Sequence, residues 1–337
     1  MLKELLKERP WLLADGATGT NLFEVGLTSG DAPELWNVDQ PEKITALHQS
    51  FVDAGSDIIL TNTFGANARR LMLHKAEDRT HELNAAGAAL ARAVADACER
   101  DVVVAGSVGP TGDLFAPLGP LTVDEARDVF AEQIAGLKEG GADVIWIETM
   151  SAMDEVGAAA DAAVAAGMDY TTAASFDTAG RTMMGVAPDS FVGGLSDRDA
   201  GPIAMGANCG VGASDTLAAI LEMSAAHPDV AIISKANAGI PEFKGDQIHY
   251  SGTPELMARY ATLAVGAGAR IIGGCCGTAP AHIAAMRAAL DACEPGAVSR
   301  PEIDAVVAAT GALVAPAVEV DEAANETRRA GRRRRRS

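Results

Sequence analysis

The chain contains eight short apolar runs, each followed by a longer alanine-rich amphipathic stretch. This alternation constrains the fold more than any other feature of the sequence. Near-continuous apolar runs are typical of parallel strands in a sheet that is covered on both faces. Alternating strand and helix patterns with eight strand candidates predict an α/β protein with a closed (β/α)8 TIM barrel. The candidate strands are Trp11–Asp15, Asp57–Thr61, Val102–Ser107, Asp143–Glu148, Tyr170–Phe176, Pro202–Cys209, Val230–Asn237 and Arg270–Cys276.

The segments between these runs have helical patterns. In Pro41–Ala54 the apolar residues fall on one helical stripe, and Pro41 suits the first turn of a helix. An open doubly wound sheet is the alternative fold, and it would place functional residues at one switch point. The barrel is favoured because polar residues end nearly every strand candidate. The other predicted helices are Glu77–Cys98, Thr122–Glu139, Asp154–Ala166, the weaker Pro188–Asp197, Ser214–Ala226, Thr253–Gly266 and Ala279–Ala292.

The length of 337 residues exceeds the roughly 250 residues of a typical barrel, which tolerates insertions and additions. We expect the barrel in residues 1–296 and a C-terminal extension in residues 297–337. The apolar residues of the extension have no clear periodicity, so we expect it to be disordered and to contain at most one short helix. It ends in an arginine tail, for which a solvated end is the simplest interpretation. Binding of RNA, anionic lipid or an acidic partner is the alternative.

Composition limits the classes of partner. The net charge of −19 argues against nucleic acid as the main partner, because phosphates would be repelled over most of the surface. No run approaches the roughly 18 consecutive apolar residues of a membrane span. The segment Met1–Trp11 lacks the apolar core of a signal peptide, so a cytoplasmic protein without membrane partners is expected. The sequence leaves a homo-oligomer open.

The chain has five cysteines, an odd number, and they are spread over its length. This is not the pattern of a disulfide scaffold. Cys209, Cys275 and Cys276 fall at strand ends, and the carboxyl ends of the strands form the active face of such a barrel. Three thiolates suit Zn²⁺, and three protein ligands leave one coordination position open. Adjacent cysteines on a regular strand would face opposite ways, but the glycines at positions 273, 274 and 277 give the backbone freedom to break that alternation. A vicinal disulfide or simple burial is the alternative.

A zinc ion with three thiolates carries a net charge of about −1 and is therefore a poor Lewis acid for producing hydroxide. It is well suited to binding a further thiol, because a coordinated thiol loses its proton. Such a site would present a sulfur nucleophile at neutral pH, and transfer of an alkyl group to that sulfur follows. A zinc hydrolase would need histidine-rich strand ends, and the sequence has no H-x-H pair. A non-enzymatic zinc-binding regulatory protein is the alternative of another class, and it predicts no open coordination position.

The strand-end motifs resemble those of the homocysteine S-methyltransferase family. The resemblance runs from about Trp11 to Ala292, with the motifs in the family's order. The asparagine–cysteine pair combined with the GGCCG motif is the most specific part. The matching motifs are Asp15-Gly16-Ala17-Thr18-Gly19-Thr20, Thr61-Asn62-Thr63-Phe64, Gly106-Ser107-Val108-Gly109-Pro110, Ile147-Glu148-Thr149, Gly206-Ala207-Asn208-Cys209 and Gly273-Gly274-Cys275-Cys276-Gly277-Thr278.

This resemblance implies a zinc-dependent enzyme that transfers a methyl group to the thiol of homocysteine and produces methionine. The implied zinc ligands, which are also the catalytic residues, are Cys209, Cys275 and Cys276. The residues implied to bind the amino-acid end of homocysteine are Asp15, Gly16 and Glu148. Residues expected to make further polar contacts or to support the site are Asn62, Ser107 and Asn208. Lys235 and Asn237 also lie on the predicted rim, and no role is assigned to them.

The methyl donor is predicted to be betaine, because the segment from Pro33 to Asn37 is similar to that of betaine–homocysteine methyltransferases. Trp36 would then face the quaternary ammonium group of the donor through a cation–π contact. The aromatic content of 4% and Thr149 after Glu148 depart from a full aromatic cage. The alternative is a resemblance to the homocysteine-binding module of cobalamin-dependent methionine synthase, with a separate methyl-corrinoid protein as donor. S-methylmethionine is a third donor.

Overall fold

The computed structural model describes residues 1–196, 198, 200–244, 247–294 and 298–313. Its strands are β1 (Leu12–Leu13), β2 (Ile58–Leu60), β3 (Val103–Val108), β4 (Val144–Met150), β5 (Tyr170–Ala174), β6 (Met205–Cys209), β7 (Ile232–Ala236), β8 (Pro241–Lys244), β9 (Gln247–Tyr250) and β10 (Ala269–Gly274). Eight of them form one parallel sheet in the order β1-β10-β7-β6-β5-β4-β3-β2. A parallel bridge between Ala14 and Ile58 joins the two outer strands and closes the ring. The predicted TIM barrel is confirmed.

An outer helix follows each barrel strand, as the sequence patterns predict. The helices are α1 (Leu2–Glu8), α2 (Gly19–Phe23), α3 (Trp36–Asp39), α4 (Pro41–Asp53), α5 (Ala68–Leu71), α6 (Thr80–Asp96), α7 (Val123–Glu139), α8 (Met153–Ala165), α9 (Pro188–Ser196), α10 (Ala213–Ala226), α11 (Pro254–Gly266), α12 (Pro280–Asp291) and α13 (Ile303–Thr310). Within the described residues, no helix has both the length and the apolar character needed to cross a bilayer.

The interior of the barrel is apolar at the amino ends of the strands and polar at their carboxyl ends. Helix α1 closes the amino end, where Leu2 and Leu5 are buried against the inward-facing apolar residues. Those residues include Leu12, Ile58, Val103, Val144, Trp146, Ile233 and Ile271. The next inward positions along several strands are buried but polar, and they include Ser107, Glu148, Asn208 and Lys235. Since side chains alternate along a strand, this change of chemistry concentrates the polar groups at one end of the barrel.

Two elements lie outside the predicted barrel pattern. Strands β8 and β9 form an antiparallel hairpin after β7, with Pro241 opposite Tyr250. Helix α13 belongs to the predicted extension and contacts α10 and α11. Ser214 donates a hydrogen bond to the carbonyl oxygen of Gly311 at 2.6 Å. The remaining residues of the predicted extension, 297 and 314–337, include the arginine tail and lie outside the described residues.

Replacing Val306 by alanine is expected to lower the free energy of unfolding by about 1–2 kcal/mol. Val306 is fully buried on α13, and the change removes two methyl groups from a packed contact. Urea denaturation of the two proteins measures the difference. Val123→Ala, at an exposed position on α7, is the matched control and is expected to have little effect. Equal stabilities for the Val306 variant and the unaltered protein would show that α13 does not contribute to the folded unit.

Candidate functional site

The three cysteines at strand ends converge in the structure. The Sγ atoms of Cys209, Cys275 and Cys276 all lie within 4.8 Å of one another. All five cysteines of the chain are free thiols, so the structure has no vicinal disulfide. Each of the three clustered cysteines is partly buried at the carboxyl end of the barrel.

Local backbone conformation brings these thiols together. Cys209 is the last residue of β6 and has a φ of 61°, a left-handed conformation that is uncommon for a residue other than glycine. Cys275 and Cys276 come after the end of β10, in a turn where the amide of Thr278 donates to the carbonyl oxygen of Cys275 at 3.1 Å. Gly277 in this turn has a φ of 76°, and a Cβ atom there would lie 2.3 Å from Cβ of Tyr250. Both segments therefore leave strand geometry at the thiols, which frees the side chains from alternation.

Two buried asparagines fix the cysteine segments. Asn237 accepts a hydrogen bond from the amide of Cys276 at 3.0 Å and donates to the carbonyl oxygen of Gly210 at 2.7 Å. It thus joins the turn after β10 to the residue that follows Cys209. Asn208 accepts from the amide of Thr149 at 2.8 Å, and its Nδ2 lies 3.9 Å from Sγ of Cys275. These hydrogen bonds hold the cysteine segments in a fixed position relative to one another.

The protons of the three thiols are coupled. The hydrogen bond between Cys209 and Cys275 raises the pKa of Cys209 to about 12, and burial adds to this effect. The hydrogen bond between Cys276 and Cys209 raises the pKa of Cys276 to about 12, again with a contribution from burial. Three neighbouring thiolates repel one another without a cation, whereas a cation bound among them stabilises the ionised form. Three sulfur donors at these separations fit the ligand preference of Zn²⁺.

A buried cluster of charged side chains lies beside the thiols. Asp15 accepts from Nζ of Lys235 at 2.8 Å through Oδ1 and from the amide of Leu60 at 2.7 Å through Oδ2. Glu148 accepts from the Ser107 hydroxyl at 2.5 Å through Oε1. Its Oε2 makes one long contact, 3.4 Å, with Nδ2 of Asn208. Among the described residues, both oxygens of Asp15 therefore have close donors, whereas only one oxygen of Glu148 does.

Burial and charge oppose each other in this cluster. Burial alone would lower the pKa of Lys235, but the carboxylates of Asp15 and Glu148 outweigh it and raise that pKa above its ordinary value. Lys235 is therefore a cation. Burial raises the pKa of Glu148, and the opposing effects of the Lys235 charge and the Ser107 hydrogen bond do not cancel that rise.

Three of the residues predicted for the site have other contacts. A Cβ atom at Gly16 would lie 2.4 Å from the carbonyl oxygen of Thr278, so Gly16 allows the first rim loop to approach the cysteine turn. Asn62 donates to the carbonyl oxygen of Pro33 at 2.8 Å and to Oδ1 of Asn37 at 2.9 Å, and thereby holds the segment before α4. Trp36 is only 7% exposed. Nζ of Lys43 lies 4.3 Å from the centroid of its ring.

Sequence reasoning left two residues of the site without a role. Asn237 supports the cysteine turn, and Lys235 is the cation of the carboxylate cluster. A lysine and an asparagine at the end of an otherwise apolar strand were the available signals. Their partners could not be read from the sequence because Lys235 and Asp15 are 220 positions apart.

Comparisons with known proteins agree with this geometry. The model of the homocysteine S-methyltransferase family matches residues 12–290. The methionine synthases of Mycobacterium leprae (strain TN) and Mycobacterium tuberculosis (strain ATCC 25618 / H37Rv) are 30% identical over 317 residues and 31% identical over 319 residues. Each alignment covers 89% of this chain and 26% of the relative, so the chain spans about a quarter of the length of these curated relatives.

Solved structures agree with the match to the homocysteine S-methyltransferase family model. The metallated form of the homocysteine methyltransferase MmuM from Escherichia coli has a TM-score of 0.71 and 26% sequence identity. The alignment covers 85% of this chain and 99% of that chain. The oxidized form of MmuM has the same TM-score and identity. With the family model matching most of the barrel, the chain belongs to the homocysteine S-methyltransferase family.

Proposed function

We propose that the protein transfers a methyl group to the sulfur of homocysteine and produces methionine, with zinc bound by Cys209, Cys275 and Cys276. The observation that carries this proposal is the convergence of three thiols within 4.8 Å, beside a buried carboxylate with a nearly unpaired oxygen. The thiols suit a metal that binds a further sulfur, and the carboxylate suits an ammonium group. Homocysteine carries both a thiol and an ammonium group.

Zinc bound to the three cysteines would supply a position at which the homocysteine sulfur is held as a thiolate at neutral pH. The protein's own residues orient the rest of the substrate. Oε2 of Glu148 receives the ammonium group, while the Ser107 hydroxyl fixes Oε1. Asn208 lies between Glu148 and Cys275 and sets the spacing between the two ends of the substrate.

Betaine is our proposed donor, on the basis of the segment from Pro33 to Asn37. Its cationic methyl groups would need an aromatic or acidic surface near the thiols. The ammonium group of Lys43 already lies over Trp36, so a donor cation at that ring face would have to displace it. The second candidate donor is a methyl-corrinoid protein. Similarity to one segment of two methionine synthases supports it.

A donor assay tests the activity. Zinc-loaded protein is incubated with homocysteine and, separately, with betaine, S-methylmethionine or methylcobalamin, and methionine is measured by mass spectrometry. Methionine formed with betaine alone would support the proposed donor, and methionine formed only with methylcobalamin would replace it with a corrinoid. The proposed function would be contradicted if no donor gave methionine and calorimetry detected no binding of homocysteine. A zinc-binding regulatory protein would then be the remaining hypothesis.

Asn237→Ala is expected to weaken zinc binding by about 10- to 100-fold without abolishing it. The change removes the acceptor for the Cys276 amide and the donor to Gly210, both of which hold ligand-bearing segments. Competition with a chromophoric chelator measures the zinc affinity. Asn84→Ala, which removes hydrogen bonds to the carbonyl oxygens of Ala66 and Thr80 away from the cysteines, is the matched control and should keep its zinc affinity. Equal zinc affinities for the Asn237 variant and the unaltered protein would contradict this role.

A further inference from the structure

The hairpin of β8 and β9 brings a tyrosine hydroxyl to the cysteine cluster. Tyr250 is the last residue of β9, and its hydroxyl donates a hydrogen bond to the thiol of Cys276. We propose that Tyr250 is a positioning residue for the metal site. Its hydrogen bond holds the Cys276 sulfur and disperses the negative charge that this sulfur carries when zinc is bound, which favours binding of the homocysteine thiolate. This inference rests on the proposed function and deepens it.

The first step of the argument is the attachment of the hairpin to the cysteine turn. At the base of the hairpin, the amide of Gly252 donates to the carbonyl oxygen of Ala238 at 2.7 Å. The amide of Ala238 donates in turn to the carbonyl oxygen of Cys276 at 2.9 Å. Nε2 of His282 lies 3.0 Å from the carbonyl oxygen of Gly252 and adds a link to α12. Main-chain hydrogen bonds therefore hold the base of the hairpin against the turn.

The second step is the close approach of the tyrosine to this turn. Gly277 has a φ of 76°, and a Cβ atom there would lie 2.3 Å from both Cβ and Cγ of Tyr250. A larger residue at position 277 would therefore displace the tyrosine. The glycine lets the first atoms of the tyrosine side chain lie directly against the turn, and the hydroxyl reaches the thiol next to that glycine.

The third step is a comparison with the donors beside the other two thiols. Asn237 donates to Cys209, and Nδ2 of Asn208 lies 3.9 Å from Sγ of Cys275. With the hydroxyl of Tyr250, each of the three sulfurs has its own side-chain donor among the described residues. The two asparagines belong to barrel strands or their ends, whereas the tyrosine comes from the hairpin. The hairpin therefore completes the set of donors.

The fourth step is the charge of the loaded site. Zinc with three cysteine thiolates has a net charge of about −1, and the homocysteine thiolate brings it to about −2. A hydrogen bond to a metal-bound sulfur draws electron density from that sulfur and tunes the metal. Removal of the donor would therefore make a fourth thiolate less favourable. Hydrogen bonds to charged groups are strong enough to change an affinity by about tenfold or more.

Tyr250→Phe removes the hydroxyl and keeps the ring beside Gly277. Calorimetry on the zinc-loaded variant is expected to show homocysteine binding weakened by about tenfold. Cobalt-substituted protein without homocysteine gives a second measurement, because the energy of a sulfur-to-cobalt charge-transfer band depends on the electron density of the sulfur. We expect this band to move to longer wavelength in the variant. A purely structural role of the hydroxyl would leave the band in place.

Tyr170→Phe is the matched control. The hydroxyl of Tyr170 donates to the carbonyl oxygen of Ala200 at 2.8 Å, and Tyr170 is the first residue of β5, at the amino end of the barrel. This variant should keep the homocysteine affinity and the charge-transfer band of the unaltered protein. Metal content and thermal melting establish that each variant is folded and loaded. If Tyr250→Phe does not fold, Tyr250→Leu, which also lacks the hydroxyl, is measured in its place.

A shifted band together with weaker homocysteine binding would support the proposal. An unchanged band in the folded, cobalt-loaded variant would overturn it, whatever the change in affinity. A shifted band with unchanged affinity would also overturn it, because the hydrogen bond would then not favour the fourth thiolate. Failure of the unaltered protein to bind homocysteine would contradict the proposed function instead, and the cobalt band would still test the hydrogen bond.

Discussion

Replacing Cys275 by alanine is expected to remove bound zinc and methionine formation together. The Sγ atoms of Cys209 and Cys276 remain, but two thiols and solvent make a much weaker site than three thiols. A zinc site with several ligands binds with roughly 10–16 kcal/mol, so one lost ligand is expected to cost about 3 kcal/mol or more. This corresponds to at least a ~100-fold loss of zinc affinity. Metal analysis after dialysis and the donor assay measure the two losses.

Cys293→Ala is the matched control for this prediction. Cys293 follows α12, and its thiol donates to the carbonyl oxygen of Ala289 at 3.2 Å. The control should therefore keep zinc and activity. A Cys275 variant that forms methionine without zinc would contradict the assigned metal role. Loss of zinc with unchanged activity would have the same meaning, because the three thiols would then have no part in the reaction.

The meeting of the thiols could be predicted because the carboxyl ends of parallel strands share one face of the barrel. Cys209 ends a strand, and the Cys275–Cys276 pair follows the next but one strand around the ring. The backbone that aims these thiols could not be predicted in detail. The left-handed conformation of Cys209 depends on its neighbours in space. The turn at Cys276, in contrast, is indicated in the sequence by its flanking glycines.

The hairpin of β8 and β9 shows a different limit of sequence reasoning. Each of its strands has four residues and is too short to display a period. Tyr250 ends the hairpin and packs against Gly277 in the cysteine turn. These positions follow the neighbouring strands β7 and β10, so their contact depends on the pairing of those strands, which a local pattern does not encode. The Lys235–Asp15 pair is missed for the same reason.

Glu148→Gln is expected to weaken homocysteine binding by about 100-fold while increasing the stability of the fold at neutral pH. The amide keeps the size of the carboxylate and still accepts from the Ser107 hydroxyl, but it cannot balance an ammonium charge. Burial raises the pKa of Glu148 above its ordinary value of 4.5, so the folded protein binds this proton more tightly than the unfolded chain does. The stability this group contributes is fully present below pH 4.5 and is lost as the pH rises through the raised pKa. At neutral pH the buried charge therefore destabilises the fold, and glutamine carries no such charge.

Melting curves at several pH values and homocysteine calorimetry test both parts of this prediction. The variant should melt higher than the unaltered protein at neutral pH, by roughly 2 °C per kcal/mol gained, and the difference should vanish in acid. Glu155→Gln is the matched control, since burial also raises the pKa of Glu155 but its partner is Thr111. That control should gain stability and keep its affinity for homocysteine. If Glu148→Gln also kept its affinity, the ammonium group would have to bind elsewhere, and a carboxylate buried at this cost to stability would need another function.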